Sequence, residues 1–154
     1  VIVGEMTIPN GICFSPDGTI GYYVDTMKNR YMRVPLDPAT GLPDGEARVF
    51  SDQSGEPGGV DGSVCGVDGT IYNARWGVGE IQAYDPQGRK IARYKVPARQ
   101  STCPAFVGAH ADRMLVTSAR EGLDGAAMAA DPAAGQTFEM GVHVNGVFDT
   151  PYRM

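Results

Sequence analysis

The chain has 154 residues and a formal net charge of −5, and its 21 glycines and 11 prolines make up about a fifth of its length. This composition favours many short strands joined by tight turns. The negative charge, with lysines and arginines scattered singly, disfavours a nucleic-acid partner, because phosphate binding requires a clustered basic surface. No apolar run approaches the roughly 20 residues that span a bilayer, so we expect no membrane partner.

An eleven-residue pattern occurs twice, 51 residues apart. Residues 10–20 (NGICFSPDGTI) align without gaps on residues 61–71 (DGSVCGVDGTI), and both copies share the glycine at the second position and the final Asp-Gly-Thr-Ile. A repeat of roughly 40 to 50 residues built from short strands is typical of a β-propeller. The sequence therefore predicts an all-β chain of about three four-stranded blades, with units near 1–51, 52–102 and 103–154.

Strand-forming segments follow one another in the first two units. The first unit predicts strands at residues 12–14, 19–25, 30–36 and 47–50. The second unit predicts strands at residues 64–67, 70–74, 79–84 and 90–96. Turns such as Ser15-Pro16-Asp17-Gly18 separate them, because proline fixes φ and Asp-Gly tolerates positive φ.

The third unit repeats the pattern less regularly. We predict strands at residues 105–107, 114–118 and 136–140, and a last strand or tail at 142–154. The alanine-rich residues 126–134 resemble a helix, but Asp131-Pro132 and the following Ala-Ala-Gly favour a loop.

Three blades are too few to close a propeller, because known propellers have about four to eight. An open arrangement would expose strand edges and apolar surface. The chain also starts at Val1 without an initiator methionine. We therefore predict that it is the C-terminal half of one propeller domain. The missing N-terminal half, or another copy, would cover the open blade edges.

The three cysteines cannot all pair within the chain, and no Cys-x-x-Cys spacing occurs. Cys13 and Cys65 lie within the two repeat copies, and we expect both to point into the core as small apolar residues. Cys103 lies in the third unit, and we assign it a structural role as well. This cysteine usage fits a reducing cytoplasm.

Asn10 and Asp61 are the first residues of the two copies. Both start an inner strand of a predicted blade, and inner strands line the central channel of a propeller. Amide and carboxylate oxygens suit Ca²⁺ or Mg²⁺. The alternative is that Asn-Gly and Asp-Gly only make turns, which is the role that we assign to Asp17 and Asp68.

Four further residues follow predicted strands and are candidates for substrate binding or for support behind the site. They are Asp25, Thr26, Arg75 and Trp76. Asp25 and Thr26 could reach the channel face. For Arg75 and Trp76, packing at the channel mouth is an equal alternative.

With these residues, the chain resembles the SMP-30/gluconolactonase/LRE-like family of regucalcin-like sugar lactonases. The matching segments include residues 10–18, 22–26, 57–62, 68–77, 102–108 and 114–120. The resemblance implies a six-bladed propeller with one divalent cation in the channel, Ca²⁺ first and Zn²⁺, Mg²⁺ or Mn²⁺ as alternatives. It also implies that a glutamate, Asn10 and Asp61 hold the cation, with the glutamate outside this chain.

The resemblance further implies hydrolysis of a sugar (aldono-) lactone, a small-molecule substrate. Asp61 would be a metal ligand and also a general base, whereas Asn10 can only bind or orient. Two alternatives remain open: a propeller binding module without catalysis, and a metal-dependent esterase or organophosphate hydrolase.

Overall fold

Residues 1–148 of the computed structural model form three antiparallel sheets and one short helix. The first sheet contains β1 (Pro9–Phe14), β2 (Ile20–Asp25), β3 (Arg30–Pro35) and β4 (Arg48–Asp52). The second contains β5 (Gly59–Cys65), β6 (Ile71–Trp76), β7 (Glu80–Tyr84) and β8 (Lys90–Lys95). The third contains β9 (Ser101–Val107), β10 (Arg113–Ser118) and β11 (Thr137–Glu139), with α1 (Gly125–Ala130) between its last two strands.

The predicted all-β class and the order of strands in the first two sheets are confirmed. All three inner strands begin earlier than predicted: β1 starts at Pro9, β5 starts at Gly59 and β9 starts at Ser101. Glycine, aspartate and proline in these stretches have low strand propensity, and tertiary pairing overrides it. The third sheet has three strands within the described residues rather than four.

The loop predicted over residues 126–134 was wrong in its first part, which belongs to α1. The Asp124 carboxylate caps this helix by accepting a hydrogen bond from the Ala127 amide at 2.8 Å, and alanine has the highest helix propensity. The helix ends before Asp131-Pro132, as the proline requires. Residues 142–148 contain no strand, and the rest of the segment predicted as a last strand or tail, 149–154, lies outside the described residues.

The apolar core lies between neighbouring sheets. Edge-to-face aromatic contacts join Tyr22, Tyr31 and Phe50 of the first sheet, and Phe50 also contacts Tyr84 of the second. A second cluster, which includes Ile81 of the second sheet and Met114 of the third, fills the next interface. A face of a sheet is therefore buried only where it packs against a neighbouring sheet.

Cys13 and Cys65 are both buried in the first of these clusters, which confirms their predicted core position. They are 52 residues apart, one more than the repeat, and side chains alternate between the two faces of a strand. Because of the extra residue, Cys13 and Cys65 lie on opposite faces of their respective sheets. Each side chain therefore points toward the neighbouring sheet. Cys103, in contrast, lies exposed on β9.

The inner strands β1, β5 and β9 lie side by side, with β5 in contact with both of the others. At Gly62 the approach is so close that an added Cβ would lie 2.7 Å from the Thr102 carbonyl oxygen and 2.6 Å from the Cys103 Sγ. These distances are shorter than any normal contact. A side chain at this position would force the second and third sheets apart.

Gly62→Ala is therefore expected to destabilise the intact protein by about 1 to 3 kcal/mol, the usual cost of overpacking. Gly55→Ala is the matched control, because no atom lies within 4 Å of its added Cβ. Urea unfolding of both variants measures the difference. Equal unfolding free energies for the two variants would contradict the close approach of β5 and β9.

Candidate metal centre

Both inner strands of the first two sheets are bulged where the repeat copies begin. In β1, Gly11 and Ile12 lie opposite the single residue Tyr23, between the pairs Asn10–Val24 and Cys13–Tyr22. A β-bulge interrupts the ladder of backbone hydrogen bonds and redirects nearby side chains, and bulges are common beside active sites.

The same irregularity occurs in β5. Asp61 and Gly62 lie opposite Ala74, between the pairs Val60–Arg75 and Ser63–Asn73. Asp61, like Asn10, therefore belongs to a strand rather than to a hairpin turn. The alternative explanation of Asn-Gly and Asp-Gly as turn formers is wrong at these two positions.

The structure brings Asn10 and Asp61 together. The Asn10 Nδ2 donates a hydrogen bond of 2.6 Å to the Asp61 Oδ1, across 51 residues of sequence. The Asn10 Oδ1 accepts from the Gly11 amide at 3.1 Å. Both side chains are half-buried, and so the repeat that relates them in sequence also makes them neighbours in space.

Burial raises the pKa of Asp61, because a carboxylate loses favourable hydration when protein atoms partly enclose it. Hydrogen bonds from Asn10 and from the Gly62 amide act in the opposite direction but do not cancel this effect. Within the described part of the chain, no lysine, arginine or histidine forms an ion pair with Asp61. A bound cation would therefore stabilise the charged form of the Asp61 carboxylate.

Asp17 and Asp68 have the turn role that the sequence predicted. The Asp17 Oδ1 accepts from the Thr19 amide at 3.1 Å, and the Asp68 Oδ1 accepts from the Thr70 amide at 3.0 Å. Each carboxylate therefore closes the hairpin that follows its inner strand.

Asp25 and Thr26 have structural partners instead of an open position in the channel. The buried Asp25 carboxylate accepts hydrogen bonds from the amides of Thr7, Ile8 and Met27 at 3.0 to 3.2 Å. The Thr26 Oγ1 donates to the Val60 carbonyl oxygen at 2.8 Å, which joins the first two sheets. A substrate role for these two residues stays a prediction.

Arg75 is fully buried and also joins the first two sheets. Its guanidinium donates to the Asn29 Oδ1 at 3.2 Å and to the Pro57 carbonyl oxygen at 2.9 Å, and its Nε has no partner among the described residues. Burial lowers the pKa of Arg75. Trp76 ends β6, and its backbone forms a β-bridge to Gln100. A binding role for Arg75 and Trp76 stays a prediction.

Two buried side chains that the sequence did not single out contact the bulges. The Tyr31 hydroxyl donates to the Gly11 carbonyl oxygen at 2.9 Å, and the Asn73 Nδ2 donates to the Asp61 carbonyl oxygen at 3.0 Å. Both residues are 0% exposed. Asn73 is a weak strand former in the middle of a strand, which was the one signal in the sequence that could have identified it.

Asn10 and Asp61 do not complete a metal site alone. Among residues 1–148, no group of three or more histidine, cysteine, aspartate or glutamate side chains is placed to hold a metal ion. Ca²⁺ takes six to eight oxygen ligands. Any bound cation would need further ligands from water, substrate or other parts of the propeller.

Three sheets that pack face to face, with adjacent inner strands and polar side chains at their meeting point, define a β-propeller. The model of the family described as SMP-30/Gluconolactonase/LRE-like region matches residues 1–120. The chain belongs to this family.

Relatives and solved structures agree with this assignment. A protein of Rhizobium meliloti (strain 1021), provisionally named a sugar lactone lactonase, is 57% identical over 153 residues, or 99% of this chain and 52% of the relative. The crystal structure of a calcium-binding protein, regucalcin, from Agrobacterium tumefaciens str. C58 is 58% identical with a TM-score of 0.97, over 99% of this chain and 52% of that one. The L-arabinolactonase of Azospirillum brasilense is 37% identical over 131 residues, or 85% of this chain and 42% of the relative.

The chain spans about half the length of these relatives. No helix in the described part of the chain is both long and apolar enough to cross a membrane.

Asp25 generates a pH-dependent prediction. The hydrogen bonds from backbone amides, that of Thr7 first, lower its pKa below the unfolded value of about 3.9. The charged form thus stabilises the folded state above that pH, and this contribution is lost as the pH falls through the folded pKa. Asp25→Asn is expected to lower the urea midpoint at pH 7, with a deficit that shrinks below about pH 4.

Asp61→Asn, measured in chelator-treated protein, is the control. The pKa shift of Asp61 has the opposite sign to that of Asp25, and so a different change in the urea midpoint is expected. Because burial raises the pKa of Asp61, its charged form opposes folding above the unfolded pKa. The amide should leave the urea midpoint at pH 7 unchanged or raise it. Equal decreases in the urea midpoint of Asp25→Asn and Asp61→Asn at every pH would contradict the opposite pKa shifts of the two carboxylates.

Proposed function

We propose that the chain supplies two ligands, Asn10 and Asp61, to a divalent cation in the channel of a lactone hydrolase. The 2.6 Å contact between these side chains carries the proposal, because it unites an amide and a carboxylate from neighbouring inner strands. Both present oxygen atoms, the donors that Ca²⁺ prefers, with Zn²⁺, Mg²⁺ or Mn²⁺ as alternatives. No lysine, arginine or histidine among residues 1–148 forms an ion pair with Asp61, and burial raises its pKa.

The bound cation would polarise the lactone carbonyl and lower the pKa of a bound water. Asp61 is the one titratable group of the pair, and we assign it the role of ligand and general base. Its carboxylate can accept a proton from a water held beside it. Asn10 cannot titrate, and its amide orients the Asp61 carboxylate.

The names of the relatives favour a sugar lactone as the substrate. They include an L-arabinolactonase, a pentonolactonase of Haloferax volcanii and a 6-deoxy-6-sulfogluconolactonase of Pseudomonas putida. The half-buried polar site suits a hydroxylated substrate. A binding module without catalysis, or an esterase or organophosphate hydrolase, are the alternatives that the experiments below separate.

We also propose a six-bladed propeller in which further blades cover the first sheet. The outer face of this sheet exposes Ile12 and Phe14 of β1, by 62% and 56% of their surface. Together with Ile2 and Leu36 they line an apolar groove of about 380 Å³. Such a face in water favours association, so blades beyond this chain, or a second copy, would bury it. Cytoplasmic location stays part of the proposal.

Asp61→Ala in the intact protein is expected to weaken Ca²⁺ binding by more than about 100-fold, since even changes behind a metal ligand cost about 10- to 100-fold. Isothermal titration calorimetry on chelator-treated protein measures the affinity. Asp68→Ala is the control, because it removes the same charge from the turn after the same strand. Wild-type affinity in Asp61→Ala would exclude Asp61 as a ligand.

A substrate panel separates the catalytic alternatives. We expect the intact protein to release acid from pentono- and hexonolactones, and a chelator to abolish the activity because the cation polarises the carbonyl. Aryl esters and organophosphate esters should react at least about tenfold more slowly in kcat/KM, since they lack the hydroxyls that a polar site binds. Cation binding without turnover of any substrate would favour a binding module.

A further inference from the structure

Buried side chains donate hydrogen bonds to backbone carbonyl groups in the bulges of β1 and β5. Gly11 contributes one such carbonyl, and it accepts from the Tyr31 hydroxyl at 2.9 Å. Asp61 and Gly62 contribute two more, which accept from the Asn73 Nδ2 at 3.0 and 3.2 Å. Unsatisfied buried carbonyls are costly, so these bonds fix the bulged conformation.

The two donors belong to one buried network between the first and second sheets. The Ser63 Oγ accepts from the Asn73 Nδ2 at 3.0 Å and also interacts with the Tyr31 hydroxyl. The hydroxyl further contacts the Cys13 Sγ at 3.4 Å. Strands β1, β3, β5 and β6 therefore meet in a polar chain directly behind the residues that start the repeat copies.

Both donors are suited to hold a backbone in place. Complete burial raises the pKa of Tyr31 well above its ordinary value, so the hydroxyl keeps the proton that it donates. The Asn73 Oδ1 has no hydrogen-bond partner among the described residues, so within them the amide acts only as a donor. A buried amide that leaves its own oxygen unsatisfied is costly and needs a reason. Here it satisfies two bulge carbonyls.

We propose that Tyr31 and Asn73 are positioning residues, which hold the bulged backbone so that the Asn10 and Asp61 side chains face each other. This inference rests on the proposed function, because it concerns the same pair of ligands. Tyr31 acts through the carbonyl of Gly11, the residue after Asn10. Asn73 acts through the carbonyls of Asp61 and Gly62. Neither side chain touches the cation or the substrate.

The test uses Tyr31→Phe, which removes one donor and keeps the ring. We expect about tenfold weaker Ca²⁺ binding by calorimetry in the intact protein, the low end of the usual loss behind a metal ligand. Tyr22→Phe is the matched control. It removes the same atom from the same core cluster, but the Tyr22 hydroxyl forms no hydrogen bond with another described residue, so affinity should stay within about twofold.

Asn73→Ser is a second variant, which withdraws the amide from both carbonyls and keeps the protein testable if Tyr31→Phe does not fold. It too should weaken Ca²⁺ binding by about tenfold. Wild-type affinity in folded Tyr31→Phe or Asn73→Ser, even with reduced stability, would show a purely structural role and overturn the inference. Absence of binding of each of Ca²⁺, Zn²⁺, Mg²⁺ and Mn²⁺ to the wild-type protein would instead overturn the proposed function.

Discussion

Gly11 and Gly62 let neighbouring inner strands approach closely, with little room for a side chain at Gly11 and none at Gly62. An added Cβ on Gly11 would lie 3.0 Å from the Val24 Cγ1 and 3.3 Å from the Asp61 carbonyl oxygen. Gly62 contacts the third sheet in the same manner, through the Thr102 carbonyl. Thr102 of the third sheet therefore has the same position relative to Gly62 that Asp61 of the second sheet has relative to Gly11. The close packing of inner strands thus brings groups from consecutive sheets to one point.

Packing between the sheets supports this arrangement from the side. The aromatic cluster around Tyr31 and Phe50 fixes the spacing of the first two sheets, and buried polar bonds from Thr26 and Arg75 join the same sheets. Desolvation acts to raise the pKa of both Asp61 and Asp25. It dominates at Asp61, which has no cationic partner among residues 1–148, whereas hydrogen bonds from backbone amides outweigh it at Asp25 and lower its pKa. The pKa values of these two carboxylates, in adjacent sheets, are therefore shifted in opposite directions.

Much of this could be predicted from the sequence. The repeat predicted the propeller class and the pairing of Asn10 with Asp61, because both features depend on one period along the chain. The positions of the bulges could not be predicted, since Gly11 and Gly62 are equally compatible with turns. The partners of Arg75 depend on contacts between sheets, and two partners of Asp25, Thr7 and Ile8, lie in a distant segment before β1; local pattern contains neither. At Gly125–Ala130 the proline that follows favours a loop, whereas the alanines and the Asp124 cap favour the helix that forms.

The central claim is that Asn10 and Asp61 bind one divalent cation. Anomalous diffraction from crystals of the intact protein soaked in Mn²⁺ tests it directly. We expect one strong peak within about 2.5 Å of an oxygen of each side chain, the range of oxygen–cation distances in proteins. A peak elsewhere in the channel, or no peak near Asn10 and Asp61 at saturating Mn²⁺, would contradict the assignment.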